Sequence, residues 1–443
     1  MASSGEGVGA SRGLAPEDPV SWHLLPLTAS AGAAGQLIVG GCDLVELAER
    51  HGTPLFVYDE EHLRSRCREA VAVFGRGVAY ASKAFLCKAM ARLAYEEGLH
   101  LDVASGGEAA VALAAGVPAG CLVFHGNNKS VEELELALAA GVGRVVVDSF
   151  DEIERLEALL GRRPPGRDPL RLLVRVTPGV EAHTHEYVMT GQEDTKFGFS
   201  VASGAAEQAV RRLRRLRGAE LVGVHAHVGS QIFRVDVFRR VVGALASLVR
   251  DHDLSECCVG GGLGVAYLNG ERAPSLAEWA AAVHQATAAA GLPAGVRVTA
   301  EPGRAIAATA GITLYRVGTV KVLPGIRTYV AVDGGMSDNP RPVLYGSGYE
   351  AFLPRAVGAD RPFAARVVGK HCESGDVLVD DARLPADLRV GDILATPVTG
   401  AYGYSMASNY NRLGRPAVVF VRGGEARVVV RRETAEDLLR LEP

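Results

Sequence analysis

The chain has 443 residues, enough for two domains. Hydrophobic residues make up 48% and charged residues 22%, which excludes wholesale disorder. The formal net charge is −4, so there is no basic excess of the kind that binds nucleic acid or a membrane surface.

The N-terminal stretch is rich in Gly, Ser and Pro and has no apolar core. Residues 1–25 therefore read as a flexible tail and not as a secretory leader. Residues 26–50 are expected to pack against a later β domain, with 37–40 as an added strand. From about residue 78 to 300 one unit recurs: a short β-branched run, a loop, then an Ala/Leu/Glu-rich helix closed by Gly. The strand candidates are 78–82, 99–103, 121–124, 144–147, 172–176, 221–226, 257–259 and 296–300. Helix starts are marked by Ser105/Glu108, Ser130/Glu133, Ser149/Glu152 and Ser275/Glu278, the spacing of a capping box. Strands alternating with helices predict a parallel sheet, and eight such units predict a closed (β/α)8 barrel over residues 51–304.

After residue 304 the pattern changes. The runs 311–323, 328–333, 362–369, 377–379, 392–395 and 416–431 read as strands without intervening helices. They predict a C-terminal β-sandwich or β-barrel domain over 305–443. The most apolar stretch, 109–124, is broken by Gly116, Pro118 and Gly120 and is too short for a membrane span. Seven cysteines without a C-x-x-C pair indicate neither a disulfide framework nor a metal site. A reducing, cytoplasmic setting is expected.

In such barrels functional groups sit on the loops after the strands. Lys83 follows the first predicted strand. His227, Gly229 and Ser230 follow the sixth. Gly260 to Gly264 follow the seventh, and Glu301-Pro302-Gly303-Arg304 follow the eighth. Side-chain-free backbone after the last two strands can approach a phosphate closely. A lysine at the barrel mouth, facing a phosphate cradle, suits a Schiff base with pyridoxal phosphate. Glu301 would then face the ring nitrogen and His227 would stack on the ring. Each residue also has a plainer alternative: a tight turn, a solvated surface lysine, a satisfied interior histidine.

The motifs Tyr80-Ala-Ser-Lys83-Ala-Phe85, His227-Val-Gly-Ser230-Gln-Ile232, Gly260-Gly-Gly-Leu-Gly264, Glu301-Pro-Gly-Arg304 and Lys370-His-Cys372-Glu373-Ser-Gly-Asp376 resemble those of the fold type III pyridoxal-phosphate decarboxylases. The stretches His125-Gly-Asn-Asn-Lys129, 178–185, Lys196-Phe-Gly-Phe199, Asp333-Gly-Gly-Met-Ser-Asp338 and Gly400-Ala-Tyr402 agree. Within that family the resemblance is to the branch acting on meso-diaminopimelate, and it runs in order from about residue 25 to the C-terminus.

The resemblance implies a carboxy-lyase that removes the D-centre carboxylate to give L-lysine and CO2, the last step of lysine biosynthesis. It implies a homodimer with active sites shared between subunits. By motif, Lys83 carries the cofactor. His227, Ser230, Gly261, Gly262, Glu301, Pro302, Gly303, Arg304 and Tyr402 bind it. Cys372 is the proton donor, contributed with Glu373 by the other subunit. Arg304, Arg341, Tyr345, Glu373 and Tyr402 bind substrate. Two arginines suit the far carboxylate of a diacid and would be costly in a plain diamine-forming enzyme. The alternatives are a sister decarboxylase of ornithine, lysine, arginine or another diacid, or a non-catalytic regulatory relative. The latter should have lost Lys83, Cys372 or the glycine cradle, and all three are present.

Overall fold

The computed structural model describes residues 20–164, 166–180 and 194–443. Most of the expected tail, and residues 181–185 of the motif 178–185, lie outside them.

The first sheet has nine strands, eight of them in a parallel ring: β1 (Ala79–Ala81), β2 (His100–Val103), β3 (Leu122–Phe124), β4 (Arg144–Val147), β5 (Leu170–Thr177), β6 (Ala219–His225), β7 (Glu256–Cys258) and β8 (Arg297–Thr299), with the short Phe199–Ser200 paired to the end of β5. Each predicted strand lies within a few residues of one of these. The sheet closes on itself. Ala79 N–H donates to the Ala300 carbonyl at 3.0 Å and Ala81 N–H to the Pro302 carbonyl at 3.1 Å, joining first strand to last. Ala79, Val123, Val146, Leu173 and Val222, one from each of five strands, form a separate buried cluster that fills the barrel. Ser130 with Glu133 and Ser275 with Glu278 form reciprocal capping boxes. At the other two starts Ser105 and Ser149 cap as expected, but Glu108 and Glu152 accept from Ala104 and Asp148 N–H, one residue earlier than a box requires.

The second sheet has eight strands built around β9 (Gly311–Leu323). Its first half pairs with Leu55–Asp59 and with Ile393–Pro397, and its second half with Arg327–Val332. The structure corrects the sequence analysis in three places. Leu55–Asp59, inside the span assigned to the barrel, is a central strand of this second sheet and also runs parallel to Ala417–Arg422. All five of its residues are buried, as a strand covered on both faces requires. The run 416–431 is not one strand but a hairpin, Ala417–Arg422 and Glu425–Val430, turning at Gly423-Gly424. Residues 37–40 do not extend the large sheet. Leu37–Val39 belongs to a small three-stranded sheet that packs beside it, sharing a core with Leu55, Val57, Ile312 and Val419.

The two sheets meet beside the first barrel strand. Tyr58 stacks on Phe85 with ring centroids 4.2 Å apart, and its hydroxyl donates to the Gly400 carbonyl at 2.9 Å. Among the described residues no helix is long and apolar enough to cross a membrane. All seven cysteines are free.

Candidate active site

The C-terminal ends of the barrel strands surround a cavity of about 270 Å³. Lys83, His227, Ser230, Gly261, Gly262, Glu301, Pro302, Gly303, Arg304 and Tyr402 all line it. The reason is topological: parallel strands deliver every following loop to one mouth.

Lys83 sits in a single 3-10 turn, Ser82–Ala84, directly after β1. Two contacts fix that turn. Tyr80 donates its hydroxyl to the Phe85 carbonyl at 2.8 Å, and Tyr402 donates its N–H to the Ala84 carbonyl at 2.8 Å. Tyr402 comes from the second sheet's side, and its φ of 62° is a left-handed conformation that a bulky residue adopts only under constraint.

Glu301 is buried, and both its oxygens are engaged. His125 Nε2 lies 2.9 Å from Oε1 and His225 Nε2 lies 2.8 Å from Oε2. Burial works against the charged carboxylate, but the two imidazoles outweigh it and hold Glu301 well below the usual range. Asp102, 3.6 Å from His125, goes the other way: burial pushes its carboxyl up to about 6 despite that neighbour. His227 Nδ1 accepts from Gly261 N–H at 3.1 Å, which places the ring proton on Nε2. Burial and the nearby charges of Lys83 and Arg175 press its pKa well down, so the ring is neutral.

The glycines are required by close approach. A Cβ on Gly261 would lie 2.2 Å from the Glu301 carbonyl oxygen, and one on Gly262 would lie 2.3 Å from that of Gly229. Gly303 is held against Ala81 and Ala84. Arg304 reaches across this floor, donating to Ser230 Oγ at 2.9 Å and to Tyr267 Oη at 2.6 Å, with its guanidinium 4.7 Å from the Tyr402 ring.

These features fit pyridoxal phosphate. There is a primary amine at a strand end and a backbone cradle that no side chain could enter. A hydroxyl and a guanidinium stand side by side, an ionised carboxylate faces the cavity, and a neutral imidazole lies over its floor.

Four expected site residues do not line the cavity. Arg341 is buried in the next layer, donating to Tyr349 Oη at 2.5 Å and Ser347 Oγ at 3.0 Å. Tyr345 ends the same short helix, Arg341–Tyr345, and is half-buried. Cys372 and Glu373 are exposed on the second sheet's side. Cys372 N–H donates to Asn411 Oδ1 at 3.4 Å and Glu373 accepts from the Tyr410 hydroxyl. Residues that motif reasoning left without a role include His225, Asp102, Arg175 and Tyr267. His225 and His227 lie two apart at a strand end, a spacing that sends both to one face and could have drawn attention to the first.

Residues 60–308 match the family model described as pyridoxal-dependent decarboxylase, pyridoxal binding domain. A diaminopimelate decarboxylase of Mycobacterium tuberculosis is 51% identical over 440 residues, covering 95% of this chain and 98% of that protein. One from Bacillus subtilis is 46% identical over 422 residues, covering 92% and 95%. The crystal structure of diaminopimelate decarboxylase from M. jannaschii in co-complex with L-lysine superposes with a TM-score of 0.84 at 32% identity, covering 94% of this chain and 98% of that one. The chain belongs to the diaminopimelate decarboxylases, within the pyridoxal-dependent decarboxylase family.

Proposed function

We propose that the protein decarboxylates meso-diaminopimelate at its D-centre, releasing CO2 and L-lysine, with pyridoxal phosphate bound at Lys83. The observation that carries this is the convergence of Lys83, the glycine cradle, Glu301 and Arg304 on one cavity. When bound, the cofactor withdraws the electron pair of the breaking C–C bond into its ring.

The chain's own residues do the rest. Lys83 would hold the cofactor through its amine. Gly261, Gly262, Gly303 and Ser230 hold its phosphate end. Glu301 stays ionised, so it would accept the ring N–H of the bound cofactor and keep that proton in place. His227, neutral, covers one ring face without competing for the proton. Arg304, backed by Arg341, meets the far carboxylate of the substrate. Tyr345, Glu373 and Tyr402 bind around it, Glu373 taking the far ammonium.

The proton that replaces CO2 comes from a thiol. Cys372 is exposed and stands away from the cavity of its own chain. That position suits a homodimer in which Cys372 and Glu373 of one subunit complete the site of the other, the thiol delivering its proton to the D-centre carbon. Residues 305–443 would then carry both the second sheet's strands and this shared edge, while 51–304 hold the cofactor. We place the protein in the cytoplasm, where seven free thiols persist.

Borohydride reduction of the loaded protein followed by peptide mass analysis tests the anchor. The pyridoxyl group should appear on the peptide holding Lys83, together with CO2 release from meso-diaminopimelate before reduction. Label elsewhere, or no label, would contradict the assignment.

A further inference from the structure

Two buried arginines share one tyrosine. Tyr267 lies just beyond the glycine run that follows β7. Its hydroxyl accepts from Arg304 Nη1 at 2.6 Å, and the Arg341 guanidinium stands 4.3 Å from its ring centroid. Tyr349 completes the group, accepting from Arg341 Nη1 and meeting the Tyr267 ring edge-on with centroids 5.2 Å apart. Arg304 and Arg341 are only 7% and 4% exposed. Among the described residues neither forms an ion pair with a carboxylate, and the Nε of each is buried without a hydrogen-bond partner.

Like charges this deep repel, and the common remedy is a carboxylate between them. Here neutral tyrosines stand in that place. A hydroxyl satisfies an N–H, and a ring face stabilises a cation, but neither cancels the charge. A carboxylate would have taken the bidentate edge of a guanidinium and left the pair neutral. The tyrosines leave a net positive field beside the cavity wall. That field favours an anionic end on the ligand and repels a cationic one.

We propose that Tyr267 is a positioning residue for substrate selection: it fixes Arg304 at the cavity wall and couples the charge of Arg341 to it, so that the pair selects a ligand with a far carboxylate. Tyr267 acts through the arginines and does not itself touch substrate. The proposal rests on the function given above, in which Arg304 faces that carboxylate.

The test compares two ligands on the loaded enzyme. L-Lysine carries the carboxylate; 1,5-diaminopentane is the same chain without it. Inhibition constants against meso-diaminopimelate are measured for wild type, Tyr267→Phe and Tyr267→Leu. Tyr267→Phe should weaken L-lysine about tenfold, the loss of one hydrogen bond to a charged group, and leave the diamine unchanged. Tyr267→Leu, which also removes the ring face over Arg341, should weaken L-lysine further and bind the diamine no worse. Equal weakening of both ligands, no change, or loss of pyridoxal absorbance in Tyr267→Phe would overturn the proposal. If wild type itself fails to bind L-lysine, the functional reading falls with it. If wild type binds and Tyr267→Phe is unaltered, only the role of Tyr267 falls.

Discussion

His225 Nε2 lies 2.8 Å from Glu301 Oε2, inside the barrel mouth and away from water. With His125 on the other oxygen, the carboxylate is held charged by two donors that cannot move without disturbing strands β3 and β6. In the function proposed here that would be preorganisation: the charge for the cofactor's ring would be in place before substrate arrives.

Glu301→Gln keeps the shape and loses the charge. Its kcat should fall by about 10²-fold or more, while cofactor remains bound through Lys83 and the glycine floor. Steady-state kinetics with cofactor content measured in parallel checks this. Unchanged kcat would mean the carboxylate serves only to orient the two histidines.

Gly261→Ala places a methyl group 2.2 Å from the Glu301 carbonyl oxygen, a backbone atom fixed in the next loop. Something must shift, and what would shift are the loops proposed to hold the phosphate. Cofactor affinity should drop by about tenfold or more, corresponding to 1–3 kcal/mol of overpacking strain. Titration of apoprotein with pyridoxal phosphate reads it directly.

The barrel was legible in the sequence because its signals are local. β-branched runs, serine caps and closing glycines repeat at short range, and the lysine, histidine and glutamate that matter stand at strand ends. What stayed hidden depends on contacts far along the chain. Leu55-Phe-Val-Tyr-Asp59 is buried throughout, so it has no alternation to reveal a face, and its partners in β9 and Ala417–Arg422 come much later. Tyr267 falls in no motif; only the fold brings it to two arginines. The hairpin at Gly423-Gly424 has a local signal of its own, since a Gly-Gly pair between β-branched runs is a turn signal.

Asp338 gives a pH signature. It is buried beside the loop leading to Arg341, and burial pushes its carboxyl up to about 7 although Gly335 N–H and the Ser337 hydroxyl donate to it. Unfolded, it would release its proton near 3.8. Between those pH values the folded chain binds the extra proton, so stability falls as pH rises through about 7. Asp338→Asn, which resembles the protonated acid, should be more stable than wild type at pH 8 by an amount on the order of a few kcal/mol, and the gap should narrow at pH 5 and close only below about 3.8. Thermal melts across that range decide it; a gap that widens toward low pH would reverse the assignment.

The shared-site arrangement predicts complementation. Lys83→Ala lacks the anchor and should be inactive. Cys372→Ala should keep the cofactor and lose about 10²–10⁴-fold in kcat, the usual worth of a positioned proton donor. Refolded or co-expressed together, the two variants should regain activity, because a mixed dimer holds one intact site. No recovery in a mixture shown to be dimeric would place Cys372 in its own chain's site or remove it from the reaction.

The most direct measurement of the central claim is product analysis after the pyridoxal-phosphate-loaded protein is incubated with meso-diaminopimelate and, separately, with L-lysine, L-ornithine and L-arginine. L-Lysine and CO2 from the first, with the other three unchanged, is the predicted result. Release of a diamine from any of the three, with diaminopimelate untouched, would contradict it and would mean that the buried arginines do not select a far carboxylate.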